Sequence, residues 1–154
     1  MLHHEPLHIV SVATPATTHK TIVEYIARNR LAKLIFCEKP IAETVADAQS
    51  MIAICKANGI ILAIDYTRRW DSVYRMVSEL LTTQRYGKVI DAWSVFAGDW
   101  LNVGSHMADL YNWFGLSEAV RPPIRLDANY LVFDLRIFCE TGMIEVLDNG
   151  AYAG

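Results

Sequence analysis

Lys39 stands between Glu38 and Pro40, directly after a short apolar run, Leu34-Ile35-Phe36-Cys37. A run of that length before a proline reads as a buried strand ending in a loop. In parallel α/β sheets, ligands gather at the carboxyl ends of strands. A lysine there can pass a proton to or from a carbonyl or hydroxyl once its surroundings tune it. On the tripeptide alone the plainer reading is the stronger one, a surface lysine before a proline-stopped loop. His106 is the second candidate. It follows Asn102 by four residues, so a helical start sets the two on one face. Taken alone, it too reads more plainly as a helix-terminal histidine.

These residues need elements to hold them. His8 to Ala13 reads as a strand ended by Thr14-Pro15, and Thr18 is placed to cap a helix running to about Arg30. The apolar stripe of that helix is Ile22, Val23, Ile26 and Ala27. Thr44-Val45-Ala46-Asp47 resembles a capping box and opens a second helix. It buries Val45, Ala48, Met51, Ile52 and Cys55 and stops at Asn58-Gly59. Ile60 to Ile64 is a third strand. Near-continuous apolar strands alternating with amphipathic helices predict a parallel sheet covered on both faces.

After residue 66 the pattern changes. A helix is expected from Ser72 to about Gln84, with Val73, Met76, Val77, Leu80 and Leu81 on its apolar side, then a strand over Lys88 to Ala97 and a short helix over Ser105 to Phe114. Tyr130 to Glu140 alternates, with Leu131, Phe133, Leu135, Ile137 and Cys139 facing one way, and Thr141-Gly142 turns into Met143 to Leu147. Glu118 to Asp127, with Pro122-Pro123, reads as a linker. The expected fold class is α/β: a partial Rossmann-like βαβαβ parallel sheet, followed by a shortened α+β domain with an antiparallel sheet.

The composition narrows the function. The 154 residues are 53% hydrophobic and 20% charged, with a net charge of −3 and no basic run, which argues against nucleic acid. No apolar run approaches membrane-spanning length and the first residues lack a signal core, so a cytoplasmic location is expected. Cys37, Cys55 and Cys139 are far apart, odd in number and in apolar segments, which predicts buried reduced thiols. His3 and His4 read as a mobile tail, and no metal site is expected. Trp70 and Trp113 read as core or interface aromatics.

Four stretches in fixed order resemble the Gfo/Idh/MocA family, the glucose–fructose oxidoreductase and inositol dehydrogenase group. They are Val10-Ser11-Val12-Ala13-Thr14-Pro15 with His19, then Glu38-Lys39-Pro40, then Arg68-Arg69-Trp70-Asp71, and last Asn102-Val103-Gly104-Ser105-His106-Met107-Ala108-Asp109. One such match is weak and four in register are strong. The resemblance implies an NAD(P)-dependent oxidoreductase acting on a sugar, polyol or related hydroxy compound. It implies that Thr14, Pro15, Glu38 and Pro40 line the nicotinamide half of NAD or NADP. His19 is either a further cofactor contact or a neighbour of the helix cap. Lys39 and His106 become the catalytic pair, with Asn102 beside the histidine, while Arg69 and Trp70 line the substrate. Asp109 is expected to hold local structure. The implied domains are 1–70, the nicotinamide half of a dinucleotide-binding domain, and 71–154, a shortened substrate and oligomerisation domain.

The sequence also departs from that family. No G-x-G-x-x-G turn precedes the first strand, so the pyrophosphate cradle that such a turn supplies is not encoded here. Asn102 stands where many members carry aspartate, and it cannot act as a base. The expectation is of a truncated member whose uncovered sheet edges favour a homo-oligomer. The alternative is a non-catalytic homo-oligomeric scaffold of the same descent that binds no dinucleotide.

Overall fold

The computed structural model describes residues 5–116, 121–128 and 131–147, with the backbone of 152–153. The His3-His4 tail, the first residues of the expected linker, Tyr130 and the last glycines lie outside the described residues. The chain forms two compact units, Met1–Asp65 and Tyr66–Gly154.

The first unit runs β1 (Leu7–Val12), α1 (Ala16–Arg28), β2 (Ala32–Glu38), α2 (Val45–Ala57) and β3 (Ile61–Asp65). The strands pair in parallel in the order β1-β2-β3, with Val12 opposite Cys37 and Glu38 opposite Asp65. The period-2 pleat sends Val12, Ile35 and Cys37 to one face. There they bury with Val23, Ile26 and Ala27 of α1 and with Met51 and Cys55 of α2. Both helices therefore share a face, and the expected cover on both faces is corrected. On the opposite face, Ile9 pairs across to Leu34 and Leu34 to Ile61, and Ile9 and Ile61 are each 62% exposed.

Two details of the helices also differ from expectation. Helix α1 begins at Ala16 with Pro15 as its N-cap, so Thr18 lies inside the first turn. Its hydroxyl lies 2.8 Å from both Thr14 Oγ1 and the Pro15 carbonyl. Proline suits a helix start because its missing N–H would find no partner in the first turn. In α2, Val45 and Ile52 are exposed and only Met51 and Cys55 are fully buried. The N-cap itself forms as the sequence implies: Thr44 Oγ1 accepts from the Asp47 N–H at 3.1 Å and donates to its carboxylate at 2.8 Å. Gly59, with φ of 67°, follows the Asn58 C-cap in the left-handed region that ends helices.

The second unit opens with a 3₁₀ turn (Thr67–Trp70), then α3 (Ser72–Thr82), β4 (Val89–Ala97), a π turn (Trp100–Gly104), α4 (Ser105–Trp113), β5 (Ile124–Leu126), β6 (Phe133–Cys139), β7 (Met143–Leu147) and β8 (Tyr152–Ala153). The sheet order is β5-β4-β6-β7-β8. Pairing is antiparallel except that β5 runs parallel to β4, with Val95 opposite Ile124. The sheet is thus mixed, because part of the expected linker is a strand. Tyr74 and Val77 of α3 and Met107, Leu110 and Tyr111 of α4 pack on Phe96, Phe133, Leu135, Ile137 and Val146. Each such side chain contributes about 1.5–3 kcal/mol by leaving water. Met76 is exposed where burial was expected, and Leu131, outside β6, is 65% exposed. All three cysteines are free and buried, as the sequence implies. Among the described residues, no helix is long and apolar enough to cross a membrane.

Candidate functional site

The parallel order of the first unit brings three strand ends to one edge. Thr14-Pro15 follows β1, Glu38 ends β2 with Lys39-Pro40 after it, and Asp65 ends β3. Such an edge is where open α/β sheets take ligands. Thr14 and Pro15 are exposed, Glu38, Lys39 and Pro40 are half-buried, and the Lys39–Pro40 bond is cis. The Lys39 N–H donates to a Glu38 carboxylate oxygen at 3.2 Å. Burial, and then the Glu38 charge, push the Asp65 carboxyl above its ordinary range, so this edge gathers two carboxylates beside one lysine.

His19 is enclosed by the protein. It is 0% exposed, with Nδ1 3.0 Å from the Pro40 carbonyl oxygen and Nε2 2.7 Å from that of Thr14. The ring therefore touches both loops from beneath.

In the second unit, α4 positions His106 near its start, 9% exposed. The chain reaches that point through the π turn, where the Gly104 N–H donates to the Asp99 carbonyl five residues back. Gly104 is what allows the approach: an added Cβ would lie 2.6 Å from the Trp100 ring and 2.9 Å from Phe96. Asn102 lies within the π turn and His106 at the second position of α4. Asn102 is exposed, with its N–H donating to Asp99 Oδ1 at 2.7 Å, while His106 is buried.

His106 packs against Tyr66, ring centroids 5.9 Å apart and nearly perpendicular. Burial, and then the Asp109 charge, raise the Tyr66 phenol above its ordinary value. The 3₁₀ turn after Tyr66 is pinned to α4 by Arg69. Its Nε and Nη2 donate to the two carboxylate oxygens of Asp109 at 2.8 and 2.9 Å. Donating these hydrogen bonds to Asp109 holds the guanidinium protonated more firmly still. Arg69 also stacks 5.5 Å from the Trp113 ring centroid. Its charge is thus engaged within the protein by Asp109. Trp70 is 72% exposed and is not a core aromatic, whereas Trp113 is half-buried and stacked on Phe114.

The candidates therefore gather in two groups, Thr14, His19, Glu38, Lys39 and Pro40 in the first unit and Arg69, His106 and Asp109 in the second. Tyr66 is not among the residues the sequence singles out; an aromatic directly after β3 and before the paired arginines is the signal that could have found it. Among the described residues, no group of three His, Cys, Asp or Glu side chains is placed to hold a metal ion. The first group forms a strand-end wall with exposed and half-buried polar groups. It contains no glycine turn for a pyrophosphate.

Comparison with known proteins follows the same division. Residues 1–66 match the oxidoreductase family with an NAD-binding Rossmann fold, GFO_IDH_MocA. The D-apiose dehydrogenase of Paraburkholderia graminis is 35% identical over 105 residues, which cover 64% of this chain and 28% of that protein. Among solved structures, an inositol dehydrogenase homolog from Azotobacter vinelandii, complexed with NADH and myo-inositol, superimposes with a TM-score of 0.75 at 15% identity. That match covers 96% of this chain and 55% of the other. The WlbA dehydrogenase of Bordetella pertussis, in complex with NADH and UDP-GlcNAcA, gives 0.78 at 16% identity, covering 91% and 58%. The chain thus spans little more than half of these solved chains and under a third of the apiose dehydrogenase. Residues 1–66 match the model of that oxidoreductase family, and the chain as a whole folds like these solved dehydrogenases.

Proposed function

We propose that this chain supplies the nicotinamide-side part of an NAD(P)-dependent oxidoreductase acting on a sugar, polyol or related hydroxy compound. The observation that carries this reading is Lys39 at the carboxyl end of β2, beside Thr14-Pro15 at the end of β1, within the stretch that matches an NAD-binding family. A bound nicotinamide would supply the hydride acceptor or donor. Thr14, Pro15, Glu38 and Pro40 would form the wall for its ring. Lys39 would hold the substrate oxygen and exchange its proton as the carbon–oxygen bond order changes. His106 would act as the partner acid or base, set in orientation by Tyr66. Asn102 would contribute a hydrogen bond at most, and Trp70 an exposed stacking surface. Arg69, already paired with Asp109, would shape the site rather than bind substrate charge.

The scaffold alternative, favoured by Asn102 and by the lack of a G-x-G-x-x-G motif among these residues, finds no support in the comparisons. We retain the homo-oligomer and the cytoplasmic location as parts of the proposal. Light scattering tests the former, and elution as a monomer would overturn it.

The deciding experiment titrates the purified chain with NADH and NADPH, followed by nicotinamide fluorescence and calorimetry. Binding at micromolar concentration, with turnover of a polyol or sugar that Lys39→Ala abolishes while the circular dichroism is unchanged, is the expected outcome. Absence of binding up to millimolar dinucleotide would overturn the reading.

A further inference from the structure

The two loops that form the proposed nicotinamide wall come from different strands, and loops of this kind are the parts of a fold most open to local motion. A third element reaches both. His19 projects from α1 and is 0% exposed, with Nδ1 at 3.0 Å from the Pro40 carbonyl and Nε2 at 2.7 Å from the Thr14 carbonyl. A carbonyl oxygen only accepts, so each contact becomes a hydrogen bond where the ring nitrogen carries a proton. The nitrogens sit on different edges of one flat ring, so a single side chain reaches backbone on two loops. Complete burial leaves no part of the ring for a bound molecule. Thr18 also bonds to Thr14 and Pro15, but within α1's own entry turn. His19 instead spans 21 residues of sequence to Pro40.

We propose that His19 is a positioning residue that fastens the loop after β1 to the Lys39–Pro40 loop, so that the Thr14-Pro15 wall and the Lys39 side chain are held at one spacing. It is not a cofactor contact. The tie stands on the first unit alone; its bearing on dinucleotide binding rests on the function proposed above.

The test is hydrogen exchange by mass spectrometry on the full chain and on His19→Leu, His19→Gln and Lys39→Ala, with an NADH titration of each. In His19→Leu, amides in 13–18 and 38–43 should both exchange faster, by about tenfold in the loop that loses the imidazole N–H hydrogen bond. Peptides of β4 and β6 should be unchanged. His19→Gln keeps a donor at one end of the side chain, so it should protect one loop and release the other. Lys39→Ala should leave both loops at wild-type rates, although it touches the same wall. NADH affinity should fall about tenfold in His19→Leu and recover in part in His19→Gln. Wild-type exchange of both loops in His19→Leu would overturn the proposal, as would equal release of both in His19→Gln. If His19→Leu does not fold, His19→Gln decides by the same criterion. If the wild type binds no dinucleotide, the functional reading fails and the exchange data still decide the tie.

Discussion

His19 and His106 are the two buried histidines among the described residues, one in each unit, and their surroundings differ. In the first unit the ring sits between two backbone carbonyls, so its polar edge belongs to the scaffold. In the second, the ring is gripped through an aromatic contact with Tyr66, and Tyr66 stands on a turn pinned by Arg69 and Asp109. One ring is held by its nitrogens, and the other meets an aromatic edge. On the proposed reading, the difference separates the ring assigned to proton transfer from the one assigned to fixing backbone.

The largest effect should come from replacing the second ring. On the proposed reading, His106→Gln lowers turnover about 10²–10⁴-fold, the usual scale for losing a general acid or base. Its thermal midpoint should stay within a few degrees. A collapse of the fold in place of the loss of turnover would break the contrast between the two histidines.

A smaller effect should follow from loosening what holds Tyr66. Asp109 is largely buried but Arg69 is 38% exposed, so solvent screening reduces what the pair contributes. Asp109→Ala should cost about 1–2 kcal/mol in urea unfolding, more than a surface ion pair because two hydrogen bonds are lost together. A cost near zero would mean that the turn is held by packing alone.

The smallest effect is one of pH and belongs to the first unit. Burial, then the charge of Glu38 and proximity of Cys55, push the Cys37 thiol up to about 11 from 9.0. A raised thiol favours the protonated, folded form. Above pH 9 the unfolded chain releases that proton while the folded chain keeps it, so stability is full below pH 9 and declines between 9 and about 11. Cys37→Ala should flatten that decline, measured as urea midpoints against pH. An unchanged slope would place the alkaline sensitivity elsewhere, with the buried Cys139 of the second unit the next group to replace.

Much of this was legible because the signals were local. The stripe of α1 repeats cleanly, and Val23, Ile26 and Ala27 are buried as the period requires. Thr44 and Asp47 are three apart and make the cap that spacing allows. Where the period was ambiguous the reading failed: α2 carries apolar residues on several sides, so Val45 and Ile52 could not be told from Met51. Strand β5 is three residues long, too short for alternation to show. The π turn at Trp100–Gly104 has no composition signal. The tie from His19 to Pro40 joins positions that only the fold brings together.

The row Ile9–Leu34–Ile61 has a thermal consequence. The first unit buries apolar surface on one side of its sheet, and its heat capacity of unfolding should fall below the ~12–15 cal/mol/K per residue of ordinary domains. A small heat-capacity change flattens the stability curve. Calorimetry should therefore register this unit as a broad, low shoulder, its midpoint moving readily with any solute that wets or shields the exposed isoleucines.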